Sequence, residues 1–176
     1  VVAPSTPADN HGLLLAALAS GDPVVYMEHK ELWGTPGAVT SGDVVPLGKA
    51  RVARSGSDLT IVSWSRQMQA CEQAAEQLAA QGVQAELIDL RTIWPWDRDA
   101  VLQSVAKTGR LLVVHEAIRV AGFGAEIAAT VAEETGAKVA RLGAPRIPVG
   151  YAPTLEAEAR VSAAQIVDAV QKLVAP

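Results

Sequence analysis

Short apolar runs alternate with helix-length segments from residue 50 almost to the end of the chain. A short, nearly continuous apolar run suits a strand that is covered on both faces of a sheet. Strands that alternate with helices of about ten or more residues form a mostly parallel sheet with helices on both faces. The sequence therefore predicts an α/β fold with strands at Ala50–Arg54, Leu59–Trp64, Ala85–Asp89, Leu111–Val114 and Val139–Leu142.

The segment from Val83 to Asp97 shows how one of these strands is predicted to leave the sheet. The charged residues Asp89 and Arg91 follow the apolar run, and Pro95 prevents a helix from continuing through it. Asp97 is a favourable N-cap for the next helix. Comparable signals predict helices at about 66–81 with Ser65 as the cap, at about 122–134, and after Ser162.

Residues 1–46 lack this regular alternation of strands and helices. Thr6 and Pro7 predict the start of a helix, and the segment from Ser20 to Pro23 predicts its end. Val24–Met27 is predicted to be a short buried strand. Residues 31–46 contain three glycines and two prolines and have no clear period. Long connections of this kind are linkers or functional loops, so we predict a domain boundary here.

Composition bears on the partners and on the compartment. The net charge is −4 and no basic stripe is present, which makes nucleic acid an improbable partner. No apolar run reaches the ~18 residues of a membrane helix. Cys71 is the only cysteine, so a disulfide within the chain is impossible and a reducing compartment is favoured. The chain starts with Val1 rather than methionine, which suggests a processed or truncated product.

Few motifs point to catalysis. The histidines at positions 11, 29 and 115 are far apart, so a zinc site is improbable. Neither a G-x-S-x-G elbow nor a Walker motif is present. Gly122-Phe123-Gly124 opens a predicted helix and fits the first part of a dinucleotide fingerprint, but Ile127 replaces the third glycine. A tight turn against the sheet is favoured over nucleotide binding.

Polar residues are predicted to gather at the carboxyl ends of the parallel strands, where ligands bind in open sheets. One hypothesis is that they form an anion-binding or acid–base site. The favoured alternative is that they are the first residues to meet water, with Asp89 and Arg91 locking a turn. Trp64, Trp94 and Trp96 lie near the same ends, either as anchors of a subunit interface or as packing beneath residues 31–46. The polar set is Ser63, Ser65, Asp89, Arg91, His115, Glu116 and Arg119.

A series of short motifs extends along almost the whole chain. They are Val2–Pro7, Gly12–Leu14, Asp22–Val25, Glu28–Lys30, Pro46–Ala50, Gly56–Thr60, Glu86–Ile93, Ser104–Arg110, Gly122–Ile127, Pro148 and Tyr151-Ala152. In order and spacing these motifs resemble the β subunit of the decarboxylating component of 2-oxo acid dehydrogenase complexes. Pyruvate, branched-chain and acetoin members look alike here, and Ile93–Asp97 leans toward the branched-chain type.

The resemblance implies a transketolase-like arrangement. Residues 1–30 would be a remnant, one helix and one strand, of the domain that binds the pyrimidine end of thiamine diphosphate. Residues 31–45 would be the interdomain linker, and residues 46–176 the transketolase C-terminal-like domain.

The resemblance also implies a function. The whole enzyme is an oxidoreductase that decarboxylates a 2-oxo acid oxidatively and transfers the acyl group to lipoyl groups. The cofactor-activating glutamate and the active-site histidine of the family precede the part that matches Val1, and the α subunit supplies magnesium. No catalytic or cofactor-binding residue is therefore assigned here. The chain alone is expected to bind neither thiamine diphosphate nor magnesium and to be inactive.

One metal site is carried over from the family. In related β subunits a potassium ion is held by the turn after the first helix, largely through backbone carbonyls, and hard cations suit oxygen ligands. The alternative is an ordinary helix C-cap, which is favoured because the family often has aspartate at position 20 and asparagine at position 22. The matching residues are Ala17, Leu18, Ser20 and Asp22.

The implied partners are a second β subunit, an α subunit and the dihydrolipoyl acyltransferase core, with neither nucleic acid nor membrane involved. The implied compartment is the bacterial cytoplasm or, in a eukaryote, the mitochondrial matrix. A second hypothesis is an independent ligand-binding or regulatory α/β domain. It would use an anion or nucleotide site at the strand ends around His115, Glu116 and Gly122.

Overall fold

A five-stranded sheet forms the centre of the computed structural model, which describes residues 1–175. The strand order is β1-β3-β2-β4-β5. The first strand is antiparallel to the third, and all other neighbours are parallel. The predicted α/β class with a mostly parallel sheet is therefore confirmed. The strands are β1 (Arg51–Arg54), β2 (Leu59–Ser63), β3 (Ala85–Asp89), β4 (Arg110–Ile118) and β5 (Lys138–Ala144).

Six α-helices accompany the sheet within the described residues. They are α1 (Pro7–Ala19), α2 (Gln67–Ala80), α3 (Arg98–Thr108), α4 (Gly124–Thr135), α5 (Pro153–Glu158) and α6 (Ala163–Val174), with a 3-10 turn at Lys30–Leu32. Asp97 and Ser162 cap α3 and α6 as predicted. The predicted cap at Ser65 is wrong. Arg66 occupies that position without a side-chain capping bond, and Ser65 lies one residue earlier with a φ of +54°, outside the extended region that capping serines usually adopt.

Each central strand sends alternate side chains into two separate cores. On β3, Leu87 packs against α2 and α6, whereas Ile88 packs on the face covered by α3 and α4. Both faces of the central strands are thus buried, and β2 and β3 are buried at every position. This arrangement explains why the central strands are mostly apolar in the sequence, with an unbroken apolar run at Leu111–Val114.

Residues 1–30, which we call the N-terminal segment, lie against the strand ends of the sheet. Val2 is buried and bridges two neighbours, pairing in parallel with Tyr26 and antiparallel with Thr92. The prediction of a buried strand at Val24–Met27 is wrong. Tyr26 makes one isolated bridge, and the side chains of Val25 and Met27 are exposed. Only a short piece of chain runs beside this segment, which is too little for a regular ladder.

Candidate functional site at the strand ends

The polar residues predicted at the strand ends do not converge on one site. Asp89 and Arg91 meet the N-terminal segment on one side of the sheet. Glu116 and Ser65 line a cavity between β2 and β4. Ser63 is fully buried beside Cys71, and the side chain of Arg119 is exposed.

On the first side, five residues form a charged cluster, which we call the joint cluster: Ser5, Asp9, Arg51, Asp89 and Arg91. The fully buried Asp89 accepts hydrogen bonds from the Ser5 hydroxyl and from Arg51 Nη2, the latter at 3.1 Å. Arg91 Nη1 donates to Asp9 at 3.1 Å, while its other guanidinium nitrogens donate to the carbonyls of Lys49 and Ala50. Two carboxylates and two guanidinium groups thus tie the N-terminal segment to the sheet.

Burial dominates the titration of Asp89. It raises the pKa of this carboxyl to about 6, against the opposing effects of the Ser5 hydrogen bond and of Arg51, and the nearby negative charge of Asp9 raises it further. The thiol of Cys71 also lies close enough for Asp89 to influence its pKa, which burial raises to about 12. The backbone N–H of Arg91 donates to Asp89 Oδ1 at 3.2 Å, so the cluster locks the turn after β3, in agreement with the favoured prediction for Asp89 and Arg91.

His115 is fully buried at the end of β4. Its Nδ1 lies 3.0 Å from the carbonyl of Ala117, and its Nε2 has no hydrogen-bond partner among the described residues. Burial lowers the pKa of His115; the Ala117 carbonyl opposes this effect and the positive charge of Arg141 adds to it. The ring stacks on Trp64, with 5.5 Å between ring centroids. A buried imidazole held in this way is a packing element rather than an exposed acid or base.

Glycines explain how the His115 ring is enclosed. A Cβ atom at Gly122, Gly124 or Gly143 would lie 2.6–2.8 Å from an atom of the ring. The first two of these glycines are the pair that fitted the start of a dinucleotide fingerprint. Their bare backbone makes room for an imidazole, which supports the prediction of a tight turn against the sheet.

A cavity of about 400 Å³ opens between the ends of β2 and β4. The strand order places β3 on one side of β2 and β4 on the other, so the direction of winding reverses here. Ligands in open α/β sheets bind at such a reversal, and the volume is typical of small-molecule sites. We call it the switch-point cavity; it is lined by Ala3, Met27, Glu28, His29, Trp64, Ser65, Ile93, Glu116, Ala117 and Phe123.

His29 joins the N-terminal segment to the end of β4. Its Nδ1 accepts from the backbone N–H of Glu31 at 3.2 Å, and its Nε2 lies 3.1 Å from Glu116 Oε2. Because Nδ1 is an acceptor, Nε2 carries the proton that it donates to the carboxylate. The imidazole therefore positions Glu116 at the wall of the switch-point cavity.

The turn predicted to hold potassium brings several oxygens together. The Ser20 hydroxyl donates to the Ala17 carbonyl at 2.9 Å and lies 3.3 Å from the carbonyl of Asp22. Leu18 can offer only its backbone carbonyl, because its exposed side chain is a hydrocarbon. The donors suit a hard cation in type. The hydrogen bonds within the turn equally suit the alternative of a helix C-cap.

Residues 1–175 contain neither a metal-binding cluster nor a membrane-spanning helix. No group of three or more His, Cys, Asp or Glu side chains is placed to hold a metal ion. No helix in that range is long and apolar enough to cross a membrane.

The sequence alone does not predict that Ser5 contacts Asp89 or that His29 contacts Glu116. Ser5 is 84 residues from Asp89, and no local feature of the sequence links His29 to Glu116. Such contacts follow from the path of the N-terminal segment over the strand ends, which no local pattern encodes. The one available signal was that Asp89 and Arg91 directly follow a buried strand.

The sequence is similar to the β subunits of several known dehydrogenases along almost its whole length. The β subunit of acetoin:2,6-dichlorophenolindophenol oxidoreductase from Cupriavidus necator is 42% identical over 98% of this chain, which covers 52% of that subunit. The β subunit of 2-oxoisovalerate dehydrogenase from Bacillus subtilis is 38% identical over 98% of this chain and is covered to 55%. The mitochondrial β subunit of the pyruvate dehydrogenase E1 component from Dictyostelium discoideum is 39% identical over 98%, and is covered to 51%. The chain thus spans about half the length of these relatives, and the predicted resemblance to such β subunits is confirmed.

A solved structure shares the fold. A split-gene transketolase, solved as an inactive tetramer of four β subunits, superposes with a TM-score of 0.85 at 24% identity. The superposition covers 98% of this chain and 57% of the transketolase chain. The family model for the C-terminal domain of transketolase matches residues 48–166, which include all five strands and α2 to α5. With two-thirds of its length in that match, this chain belongs to the family of transketolase C-terminal domains.

Proposed function

We propose that this chain is the rear part of a β subunit in the thiamine-diphosphate-dependent component of a 2-oxo acid dehydrogenase complex. The observation that carries the proposal is its match, over 98% of its length, to about half of several such β subunits. Residues 1–30 belong to the end of the preceding domain, 31–45 to the linker, and 46–176 to the C-terminal domain. The protein works in the bacterial cytoplasm or, in a eukaryote, in the mitochondrial matrix.

Its role within the complex is assembly. Apolar side chains are exposed in two stretches, which is typical of surfaces that partners cover. The first stretch includes Leu14, Leu18 and Val25. The second, which we call the C-terminal loop patch, consists of Ile147, Val149, Tyr151 and Leu155. We assign these surfaces to a second β subunit, an α subunit and the acyltransferase core.

Catalysis belongs to the whole enzyme. Thiamine diphosphate supplies the chemistry that stabilises the carbanion formed on decarboxylation. In our proposal the cofactor and its magnesium ion are held by the α subunit and by the part of the β subunit that precedes this region. The residues described here support that site through the joint cluster, which fixes the N-terminal segment on the C-terminal domain.

A chimeric enzyme tests this proposal. The preceding half of the Cupriavidus necator β subunit is fused ahead of Val1 and coexpressed with the α subunit of that enzyme. We expect the chimera to reduce 2,6-dichlorophenolindophenol when supplied with acetoin or a 2-oxo acid, and the chain alone to be inactive. Turnover by the isolated chain would contradict the proposal, as would a chimera that folds and binds the α subunit but has no activity.

Self-association is tested separately by light scattering after size-exclusion chromatography. We expect the chain to pair through the C-terminal loop patch, because Tyr151 is fully exposed in the single chain. The variant Tyr151→Asp should lower the measured mass toward one copy, whereas Ala129→Asp, on the exposed side of α4, should not. Equal masses for all three proteins would rule out pairing through this patch.

We also propose that the turn formed by Ala17, Leu18, Ser20 and Asp22 binds potassium. Its support is the group of oxygens around the Ser20 hydroxyl. Thermal unfolding in KCl and NaCl at equal ionic strength tests the site. Potassium should raise the melting temperature more than sodium, and Ser20→Ala should abolish that difference. A simple helix cap would instead lose the same stability in both salts.

A further inference from the structure

We propose that the switch-point cavity binds a small organic ammonium compound that carries an aromatic group. All of its lining residues come from this chain, so binding can be measured without the other subunits of the proposed enzyme. The site also differs in charge from the anion or nucleotide site predicted for the strand ends.

One wall of the cavity is aromatic and fixed. Trp64 is stacked on the buried His115 ring at an interplanar angle of 22°, and it meets Phe123 edge-on with 6.3 Å between ring centroids. The glycines around His115 leave that ring no space to move. A flat apolar group can therefore pack on Trp64 and Phe123 without first ordering them, which lowers the entropic cost of binding.

The charge of the lining selects a cation. Its ionisable residues are Glu28, His29 and Glu116, and it contains neither lysine nor arginine. Asn10 donates to Glu28 Oε1 at 3.3 Å, and His29 lies 3.1 Å from Glu116 Oε2. Within residues 1–175 the second oxygen of each carboxylate accepts no hydrogen bond. Two carboxylates beside an aromatic wall favour an ammonium group, through both Coulomb attraction and cation–π interaction, and repel phosphates.

The position of the cavity gives binding a structural consequence. Ala3, Met27 and Glu28 come from the N-terminal segment, whereas Trp64 and Glu116 come from the ends of β2 and β4. A ligand that contacts both parts stabilises the docked arrangement over any in which they separate.

Calorimetric titration with 2-phenylethylammonium tests the proposal, with 3-phenylpropionate as an anion of similar shape. We expect the ammonium compound to bind and to raise the melting temperature, and the carboxylate to do neither. Glu116→Gln, which can still accept from His29, should weaken binding about tenfold, the size of one charge-assisted contact. Glu133→Gln, on the exposed side of α4, is the matched control and should bind like the wild type.

A second variant guards against a folding defect in Glu116→Gln. Met27 is exposed at the cavity wall, so Met27→Lys should fold normally and place a competing cation in the site. Loss of binding in Met27→Lys with unchanged circular dichroism supports the proposal. The proposal is overturned if the carboxylate binds as well as the ammonium compound, if 2-phenylethylammonium does not bind at millimolar concentration, or if neither variant weakens binding. A failed chimera in the enzyme assay has no bearing on any of these outcomes.

Discussion

The carboxyl group of Asp89 is fully buried, and the free energy that its burial costs the folded chain depends on pH. Its pKa is raised to about 6 in the folded chain, against about 3.9 when unfolded. The folded state therefore binds the proton of Asp89 more tightly than the unfolded state does. The stability that protonated Asp89 contributes is fully present below about pH 4 and is lost as the pH rises through about 6. Asp89→Asn should remove this dependence while keeping an acceptor for Ser5 and Arg51.

Urea denaturation at pH 4 and pH 7 measures the effect. Between these values the wild type should lose about 2–3 kcal/mol of unfolding free energy relative to Asp89→Asn. Asp168→Asn, at an exposed position on α6, is the control and should follow the wild type. If the wild type and Asp89→Asn have parallel pH profiles, Asp89 titrates normally in the folded chain.

Gly124 is the residue on which the enclosure of His115 depends most directly. A Cβ atom there would lie 2.6 Å from two ring atoms and 3.1 Å from Val113. Gly124→Ala should therefore lower the unfolding free energy by about 1–3 kcal/mol, the usual cost of overpacking. Gly34→Ala, where no atom lies within 4 Å of the added carbon, should cost much less.

A double-mutant cycle identifies the contact. Replacing His115 by Ala removes the ring that the new methyl group strikes, so Gly124→Ala should cost less in that background than in the wild type. Equal costs in both backgrounds would show that the strain arises elsewhere in the turn.

Helix α3 is attached to the sheet by a buried polar network as well as by its apolar face. Ser104 donates to Glu86 Oε1 at 2.7 Å and also lies 2.7 Å from the hydroxyl of Thr60. Burial alone would raise the pKa of Glu86, but hydrogen bonds from Lys107, Ser104 and the Gly56 N–H outweigh it and hold the pKa below its usual value. The network stabilises a charge that is only 5% exposed.

Ser104→Ala should cost about 1–3 kcal/mol, because it leaves a buried carboxylate oxygen without its donor. Chemical denaturation at neutral pH measures this loss. Gln103→Ala, one residue away on the exposed side of α3, should change stability by less than about 0.5 kcal/mol. A Ser104→Ala variant as stable as the wild type would mean that water or Lys107 replaces the hydroxyl.

The same elements show what the sequence can predict. Leu111 and Leu112 lie in a strand that is buried on both faces, so an unbroken apolar run was enough to locate them. Asp97 and Ser162 were found because a cap needs only a local side-chain contact. The antiparallel direction of β1 and the burial of Glu86 depend on neighbours distant in the chain, and neither leaves a local pattern.

At the scale of the whole molecule, Arg91 connects three parts of the chain. Its guanidinium binds Asp9 of α1 and the carbonyls of Lys49 and Ala50, and its own carbonyl accepts from the N–H of Ala3 at 2.8 Å. Asp9 is only 3% exposed, and its negative charge is compensated by Arg91 and by the more distant Arg51, whose Nε lies 3.7 Å away. Removing a partner from a buried ion pair is strongly destabilising because a charge is left uncompensated.

Arg91→Ala should therefore loosen the N-terminal segment more than the sheet. We expect the unfolding free energy to fall by about 3 kcal/mol, as for other broken buried pairs. Hydrogen exchange should rise sharply at Ala3, Ile93 and Trp94, whose N–H groups bond across this junction, and little at Leu112 in the centre of the sheet. Arg119 is exposed, so the control variant Arg119→Ala should change neither the unfolding free energy nor the exchange rates. A uniform rise across the sheet would instead show that the segment and the domain unfold as one cooperative unit.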